Sequence, residues 1–115
     1  MNSNDTSPGD KVKQLFQSGV DKREKGLYEV STVDFLNALS INPTHLAANY
    51  QMVYSLSSLN KYKEALFYAH RIVELFPYWD TYEQRAWIKE SLGDLSGAEA
   101  DRNEGRKIPK DDCWC

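Results

Sequence analysis

The chain has 115 residues, 41% of them hydrophobic, and a formal net charge of −3 at pH 7. A chain of this length corresponds to one small domain with a modest core, and its negative charge gives no electrostatic drive toward nucleic acid or an anionic membrane. No stretch approaches the roughly 18 apolar residues of a membrane-spanning helix. Residues 1–9 are polar and lack the apolar segment of a signal peptide, so we expect a disordered lead-in and a cytoplasmic protein.

The sequence repeats itself at an interval of about 34 residues, since residues 12–43 align with residues 46–77. A third copy follows with one residue fewer. Equivalent positions then share residue types, as in Gly26, Asn60 and Gly93, or Ser31, Ala65 and Ala98. A fixed period in this range indicates stacked supersecondary units.

Each copy is predicted to form a helix, a tight turn and a second helix, because apolar residues recur at intervals of three and four. A break at Pro8-Gly9 precedes the first helix, with Asp10 as its predicted N-cap. Pro43 and Pro77 end the second helices of the first two copies. The predicted helices cover residues 10–24, 28–41, 45–59, 61–75, 79–92 and 95–107.

This pattern resembles the tetratricopeptide repeat (TPR), whose helical hairpins carry small residues where helices touch, an aromatic residue after the turn and a final proline. The best match runs from Leu46 to Pro77, with Tyr62-Lys63-Glu64-Ala65 after the turn. The resemblance covers roughly residues 10–110. It implies an all-α solenoid of three hairpins in a right-handed superhelical stack, with repeats at 10–43, 44–77 and 78–110 and a tail at 111–115.

Three residues depart from the family pattern, namely Ser31, Val53 and Gly105, each at a position that the family usually fills differently. Gly105 lies within the last predicted helix, where glycine costs about 1 kcal/mol relative to alanine. That helix is also poor in large apolar residues. It either caps the stack with a polar face or docks another subunit or partner through its thin apolar edge.

The resemblance implies that the first helix of each hairpin lines a concave surface, and that surface is the predicted binding site. Aromatic side chains on it favour a binding groove, although such residues also pack between helices in this family. Basic residues Lys13 and Arg23 lie toward the first copy, and Asp80, Glu83 and Glu90 lie toward the third. The predicted peptide-binding residues are Phe16, Gln17, Val20, Tyr50, Gln51, Tyr54, Gln84 and Trp87.

Family members that bind the acidic C-termini of cytosolic heat-shock chaperones use a clamp of Lys, Asn and Arg residues. The matching positions here are Phe16, Val20, Gln51, Asp80 and Gln84. None is cationic, and Asp80 has the wrong charge for holding a carboxylate, so this role is disfavoured. The small three-repeat chaperones of bacterial secretion systems share the architecture, which neither supports nor excludes that role.

No catalytic or metal-binding pattern is visible, and the sequence predicts neither an enzyme nor a cofactor. The two cysteines fall in Cys113-Trp114-Cys115, which could bind a metal, join chains through a disulfide or present a tryptophan to a partner. The alternative is a frayed tail in a reducing cytosol, or Trp114 packed on the last helix.

The sequence therefore predicts a non-catalytic protein–protein interaction module, either an adaptor or a small chaperone. Its partner would be another protein, whose extended or helical segment lies in the groove, and neither nucleic acid nor a membrane. The alternative is a structural subunit of a multiprotein assembly that pairs through the ends of the stack.

Overall fold

The computed structural model describes residues 7–109, and over that range the chain is entirely helical apart from turns and connections. Every predicted helix is present, and each end lies within two residues of its predicted position. In chain order the helices are α1 (Pro8–Glu24), α2 (Tyr28–Ile41), α3 (Leu46–Ser58), α4 (Tyr62–Leu75), α5 (Trp79–Ser91) and α6 (Leu95–Arg106).

The start of α1 differs from the prediction. Ser7, rather than Asp10, is the N-cap, because its hydroxyl oxygen accepts a hydrogen bond from the Asp10 N–H at 3.2 Å. Pro8 occupies the first helical turn, where its missing N–H needs no partner and its φ already suits a helix. The proline that was expected to precede the helix therefore begins it.

The turns inside the hairpins form at the predicted residues. Gly26, Asn60 and Gly93 have φ values of 78°, 60° and 85°, which is the left-handed region that glycine and asparagine tolerate. The second helices of the first two hairpins end before the prolines, as predicted, because Asn42 and Phe76 adopt extended φ values of −133° and −141°. The chain thus folds as three helical hairpins.

The core lies between successive hairpins, and most of its residues come from the middle hairpin. Ala65 and Ala98, the small residues that follow the turns, are 0% and 1% exposed, so both lie where helices approach closely. A stack of this kind buries each hairpin only against its neighbours. The main buried cluster consists of Phe35, Leu39, Ala48, Met52, Val53, Leu56, Ala65, Ala69, Ile72 and Ile88.

Large and small residues change places between the first two hairpins, which explains the unusual Val53. In the first hairpin, Gly19 lies under the ring of Phe35, and a Cβ atom at Gly19 would be 2.7 Å from that ring. The equivalent residues in the second hairpin are Val53 and Ala69, so the large side chain comes from α3 instead of α4. All four residues are buried, and the interior volume is filled in both cases.

Gly105 also has a packing explanation, beyond the expected cost of a glycine within a helix. A Cβ atom there would lie 3.2 Å from the carbonyl oxygen of Trp79 and 3.3 Å from Cβ of Tyr82. The missing side chain therefore lets α6 approach the backbone of α5 closely.

The outer hairpins each contain an ion pair where the middle hairpin is apolar. Asp34 on α2 accepts hydrogen bonds from Ser18 at 2.6 Å and Lys22 at 2.7 Å on α1. Asp101 on α6 is paired with Arg85 at 2.6 Å and Lys89 at 3.1 Å on α5. The equivalent positions in the middle hairpin are Met52, Leu56 and Tyr68.

Burial raises the pKa of Asp101, but the hydrogen bonds and charges of Arg85 and Lys89 outweigh it and hold that pKa below its usual value. The pKa of Asp34 is lowered in the same way, since burial is outweighed by Lys22 and Ser18. Both carboxylates are therefore charged in the folded protein near neutral pH.

The outer face of the last hairpin is charged rather than apolar. Arg102 on α6 donates to Glu83 at 2.7 Å and to Glu90 at 2.8 Å on α5. The residues of the first hairpin that are equivalent to Arg102 and Glu83 are Phe35 and Phe16, and both of these pack toward α3. This pattern favours the interpretation of α6 as a polar cap.

The outer face of α1, at the other end of the described stack, is also polar. Gln14 and Asp21 are exposed there, whereas the equivalent residues of α3, Ala48 and Ser55, are buried against the preceding hairpin. Among the described residues, both faces at which another hairpin would stack are therefore mostly polar, with the exposed Leu95 on α6 as an apolar exception.

Candidate functional site

A cavity of about 550 Å³ lies between α3 and α5, within the size range of ligand-binding pockets. Every lining residue belongs to one of these two helices, each the first helix of its hairpin. Five predicted groove residues line the cavity, and Val53, Ser57 and Ser58 complete it. The five are Tyr50, Gln51, Tyr54, Gln84 and Trp87.

The other three predicted groove residues, all on α1, do not line this cavity. Phe16 and Val20 pack against the core, and the Phe16 ring centroid lies 5.7 Å from that of Phe35. Gln17 is exposed and donates a hydrogen bond to Asp21 at 2.9 Å. Gly19 has no side chain and leaves room for the ring of Phe35. Phe16 points inward because it packs against that ring.

Two aromatic side chains flank the cavity, and each is supported in the same way. Tyr54 is 51% exposed and its ring lies 6.3 Å from that of Tyr28, the first residue of α2. Trp87 is 48% exposed and lies 5.9 Å, edge to face, from Tyr62, the first residue of α4. The supporting tyrosines restrict both rings while leaving about half of each surface free for contact.

The floor of the cavity contains buried polar atoms that have no hydrogen-bond partner within residues 7–109. They are Oε1 of Gln51, Oγ of Ser57 and Oε1 of Gln84. Leaving such a group unsatisfied costs about 1–3 kcal/mol, so buried polar atoms of this kind normally bond to water or to a bound ligand. Gln51 and Gln84 occupy equivalent positions of α3 and α5, and their amide groups can both donate and accept hydrogen bonds.

Opposite charges lie at the two ends of α3. The guanidinium carbon of Arg23 is 5.0 Å from the ring centroid of Tyr54, near the C-terminal end of α3. Asp80 lies near Tyr50, toward the N-terminal end, where burial and then the charge of Asp80 raise the pKa of the Tyr50 hydroxyl. Neither Arg23 nor Asp80 forms an ion pair within the described range.

The predicted acidic end of the groove is smaller than the sequence suggested. Glu83 and Glu90 share one cation, Arg102, so that cluster keeps one net negative charge, and Asp80 is the acidic residue of the three that has no ion pair among residues 7–109. The sequence could not show this, because Arg102 is contributed by the second helix of the hairpin.

The described residues contain no group of three or more His, Cys, Asp or Glu side chains that could hold a metal ion. None of the six helices is long and apolar enough to span a membrane. His70 is exposed and lies 3.1 Å from Arg85. The predicted roles of Cys113-Trp114-Cys115 concern residues outside the described range.

Solved structures of other proteins share this architecture. A MamA point mutant has a TM-score of 0.78 and 17% identity, over 88% of this chain and 74% of that chain. The first TPR of Spaghetti (RPAP3), bound to the HSP90 peptide SRMEEVD, has a TM-score of 0.76 and 17% identity, over 90% of this chain and 82% of that chain. Its second TPR, bound to the same peptide, has a TM-score of 0.75 and 16% identity, over 86% of this chain and 93% of that chain.

No protein-family model matches the sequence, and none of the curated proteins compared with it is significantly similar. The fold is nevertheless clear. The protein is an all-α helical-repeat protein in which consecutive hairpins stack side by side. Its three hairpins form the TPR solenoid, which confirms the resemblance seen in the sequence.

Proposed function

We propose that the protein is a non-catalytic interaction module that binds a segment of a partner protein in the cavity between α3 and α5. One observation carries this proposal. The cavity combines two supported, half-exposed aromatic rings with buried polar atoms that have no hydrogen-bond partner in the part of the chain that the structure describes. Aromatic side chains dominate many protein interfaces, and the side-chain amides of Gln51 and Gln84, which line the cavity, would bond to peptide groups of the segment.

The neighbouring structures support a protein partner in general. Two domains of the same fold, both from RPAP3, are bound to a peptide of HSP90. In this chain, none of the five positions that match the family's carboxylate clamp holds a cationic residue. Arg85, one position from Gln84, is engaged with Asp101 at 2.6 Å. The ligand that we propose is therefore not an acidic C-terminus held by such a clamp.

The second candidate is a structural subunit of an assembly. The mostly polar outer faces of α1 and of the last hairpin disfavour pairing through the ends of the stack. One observation favours an assembly contact elsewhere, because α2 and its N-cap residue Leu27 together expose five large aliphatic side chains, and Glu29 is the one exposed charged residue of α2. These side chains are Leu27, Val30, Val33, Leu36 and Ile41.

Sedimentation velocity at micromolar concentration measures the oligomeric state of the protein without a partner, which differs between the two candidate functions. The interaction-module proposal expects a monomer. A concentration-dependent dimer that Val33→Ser disrupts would favour the structural subunit.

The proposal itself is tested with peptides selected from a random dodecapeptide phage library. Tyr54→Ala should weaken binding of a selected peptide by about 1–3 kcal/mol, which is typical of an interface hot spot. Leu95→Ala is the matched control, since Leu95 is 67% exposed on α6 and does not line the cavity. Equal binding by wild type and both variants, with unchanged thermal melts, would contradict the proposal.

A further inference from the structure

We infer that the bound segment carries a large apolar side chain for the cavity and, close to it in sequence, a carboxylate that pairs with Arg23. This inference rests on the proposed function and adds the chemistry of the partner.

Arg23 differs from the other arginines that the structure describes. Arg85, Arg102 and Arg106 pair with carboxylates, and Arg71 donates to the carbonyl oxygen of Pro43 at 3.3 Å. The described contact of Arg23 is with the Tyr54 ring, and its Nε atom is buried and has no hydrogen-bond partner among residues 7–109.

A buried guanidinium nitrogen without an acceptor is costly, and the usual acceptor for the planar guanidinium group is a carboxylate, which bonds to it through two oxygens. None of the described residues supplies that carboxylate. A partner residue can supply it to the terminal guanidinium nitrogens, because Arg23 is half-buried and Nε is the one guanidinium nitrogen that is buried without a partner among the described residues.

Arg23 is also close enough to the cavity for both contacts to come from one short segment. Its guanidinium carbon lies 5.0 Å from the centroid of Tyr54, which is itself a wall of the cavity. An extended chain advances about 3.3 Å per residue. The carboxylate and the apolar side chain would therefore be about one to three residues apart.

The charges around the site also orient the segment. Asp80 acts on Tyr50, one helical turn before Tyr54 on α3, and it would repel a carboxylate at that end. Arg23 attracts a carboxylate at the Tyr54 end. Opposite charges at the two ends of a groove favour one direction of binding over the other.

The test is the same dodecapeptide phage library, selected separately on wild type, Arg23→Glu and Lys11→Glu. Lys11→Glu makes the same change of charge at an exposed position of α1, away from Tyr54. Wild type and Lys11→Glu should enrich peptides that place Asp or Glu within three residues of a large apolar residue. Arg23→Glu should lose that acidic preference and bind a wild-type-selected peptide about 10-fold more weakly.

The results distinguish this inference from the proposed function. If wild-type peptides depend on Trp87 but show no acidic preference, or if Arg23→Glu keeps that preference, the inference is wrong and the proposed function stands. If no peptide is enriched, or if enriched peptides bind Tyr54→Ala and Trp87→Ala normally, both are wrong. A thermal melt of Arg23→Glu checks that any loss of binding does not come from unfolding.

Discussion

The packing of Gly19 under Phe35 gives a sharp prediction about the first hairpin. Replacing Gly19 by alanine would place Cβ 2.7 Å from Cε1 and 2.8 Å from Cζ of the Phe35 ring, closer than carbon atoms can approach. Phe35 is 0% exposed and also packs against Phe16, so its ring has no free space to move into.

Two effects of opposite sign decide the outcome. Alanine within a helix is favoured over glycine by about 1 kcal/mol. Overpacking a filled core costs about 1–3 kcal/mol and more where the neighbour is held in place, as Phe35 is. We therefore expect Gly19→Ala to lower the free energy of unfolding by about 0–2 kcal/mol, the packing cost less the gain in helix propensity, with the upper end favoured because Phe35 is held in place.

Urea unfolding followed by far-ultraviolet circular dichroism measures the effect. Gly9→Ala is the matched control, because it is the same substitution in the same helix and no atom lies within 4 Å of the added Cβ. The control should leave stability unchanged or raise it. Phe35→Leu removes ring atoms from the contact, so Gly19→Ala should cost less in that background. A Gly19→Ala protein as stable as Gly9→Ala would refute the packing argument.

Three further predictions concern stability. Ala65→Leu, at a residue that is 0% exposed, should lower the free energy of unfolding by about 1–3 kcal/mol through overpacking, and an unchanged denaturation midpoint would show that α4 is wrongly placed. Asp101→Asn should lower it by roughly 3 kcal/mol, because Arg85 and Lys89 lose their buried counter-ion; a loss within error of zero in urea unfolding would contradict this. Since the pKa values of Asp34 and Asp101 are lowered on folding, their contribution is present above the unfolded pKa and is lost as the pH falls from about 5 through the folded values. Acid titration of stability should therefore be shallower in Asp101→Asn than in wild type, and identical profiles would remove Asp101 from the explanation.

The helices and turns could be predicted because their signals are local. The period of the apolar residues, the prolines after the second helices and the turn residues Gly26, Asn60 and Gly93 each act on the backbone within a few residues. The prediction of Asp10 as the N-cap was wrong because the local signal was ambiguous. Proline is tolerated in the first turn of a helix as well as before it, so Pro8 alone did not distinguish Ser7 from Asp10.

The cavity could be predicted only in part. Tyr50, Tyr54 and Trp87 come together because equivalent positions on α3 and α5 face the same side of the stack. The pairing of Glu83 and Glu90 with Arg102 depends on the register between two helices, which no local pattern specifies.

The inward position of Phe16 likewise depends on a packing partner that is distant in sequence. It follows from the exchange of volume between Gly19 and Phe35, which lie on different helices. A signal was present in the sequence, since the equivalent pair Val53 and Ala69 has the opposite order of sizes.

The proposed binding site is tested most directly by a nitrogen-15 chemical-shift titration of the protein with a library-selected peptide. We expect the largest changes at the side-chain amides of Gln51 and Gln84 and at the indole N–H of Trp87, because all three residues line the cavity. Changes confined to the backbone amides around Val30 and Val33 on α2, with the cavity signals unmoved, would contradict it and place the interaction surface on the other candidate face.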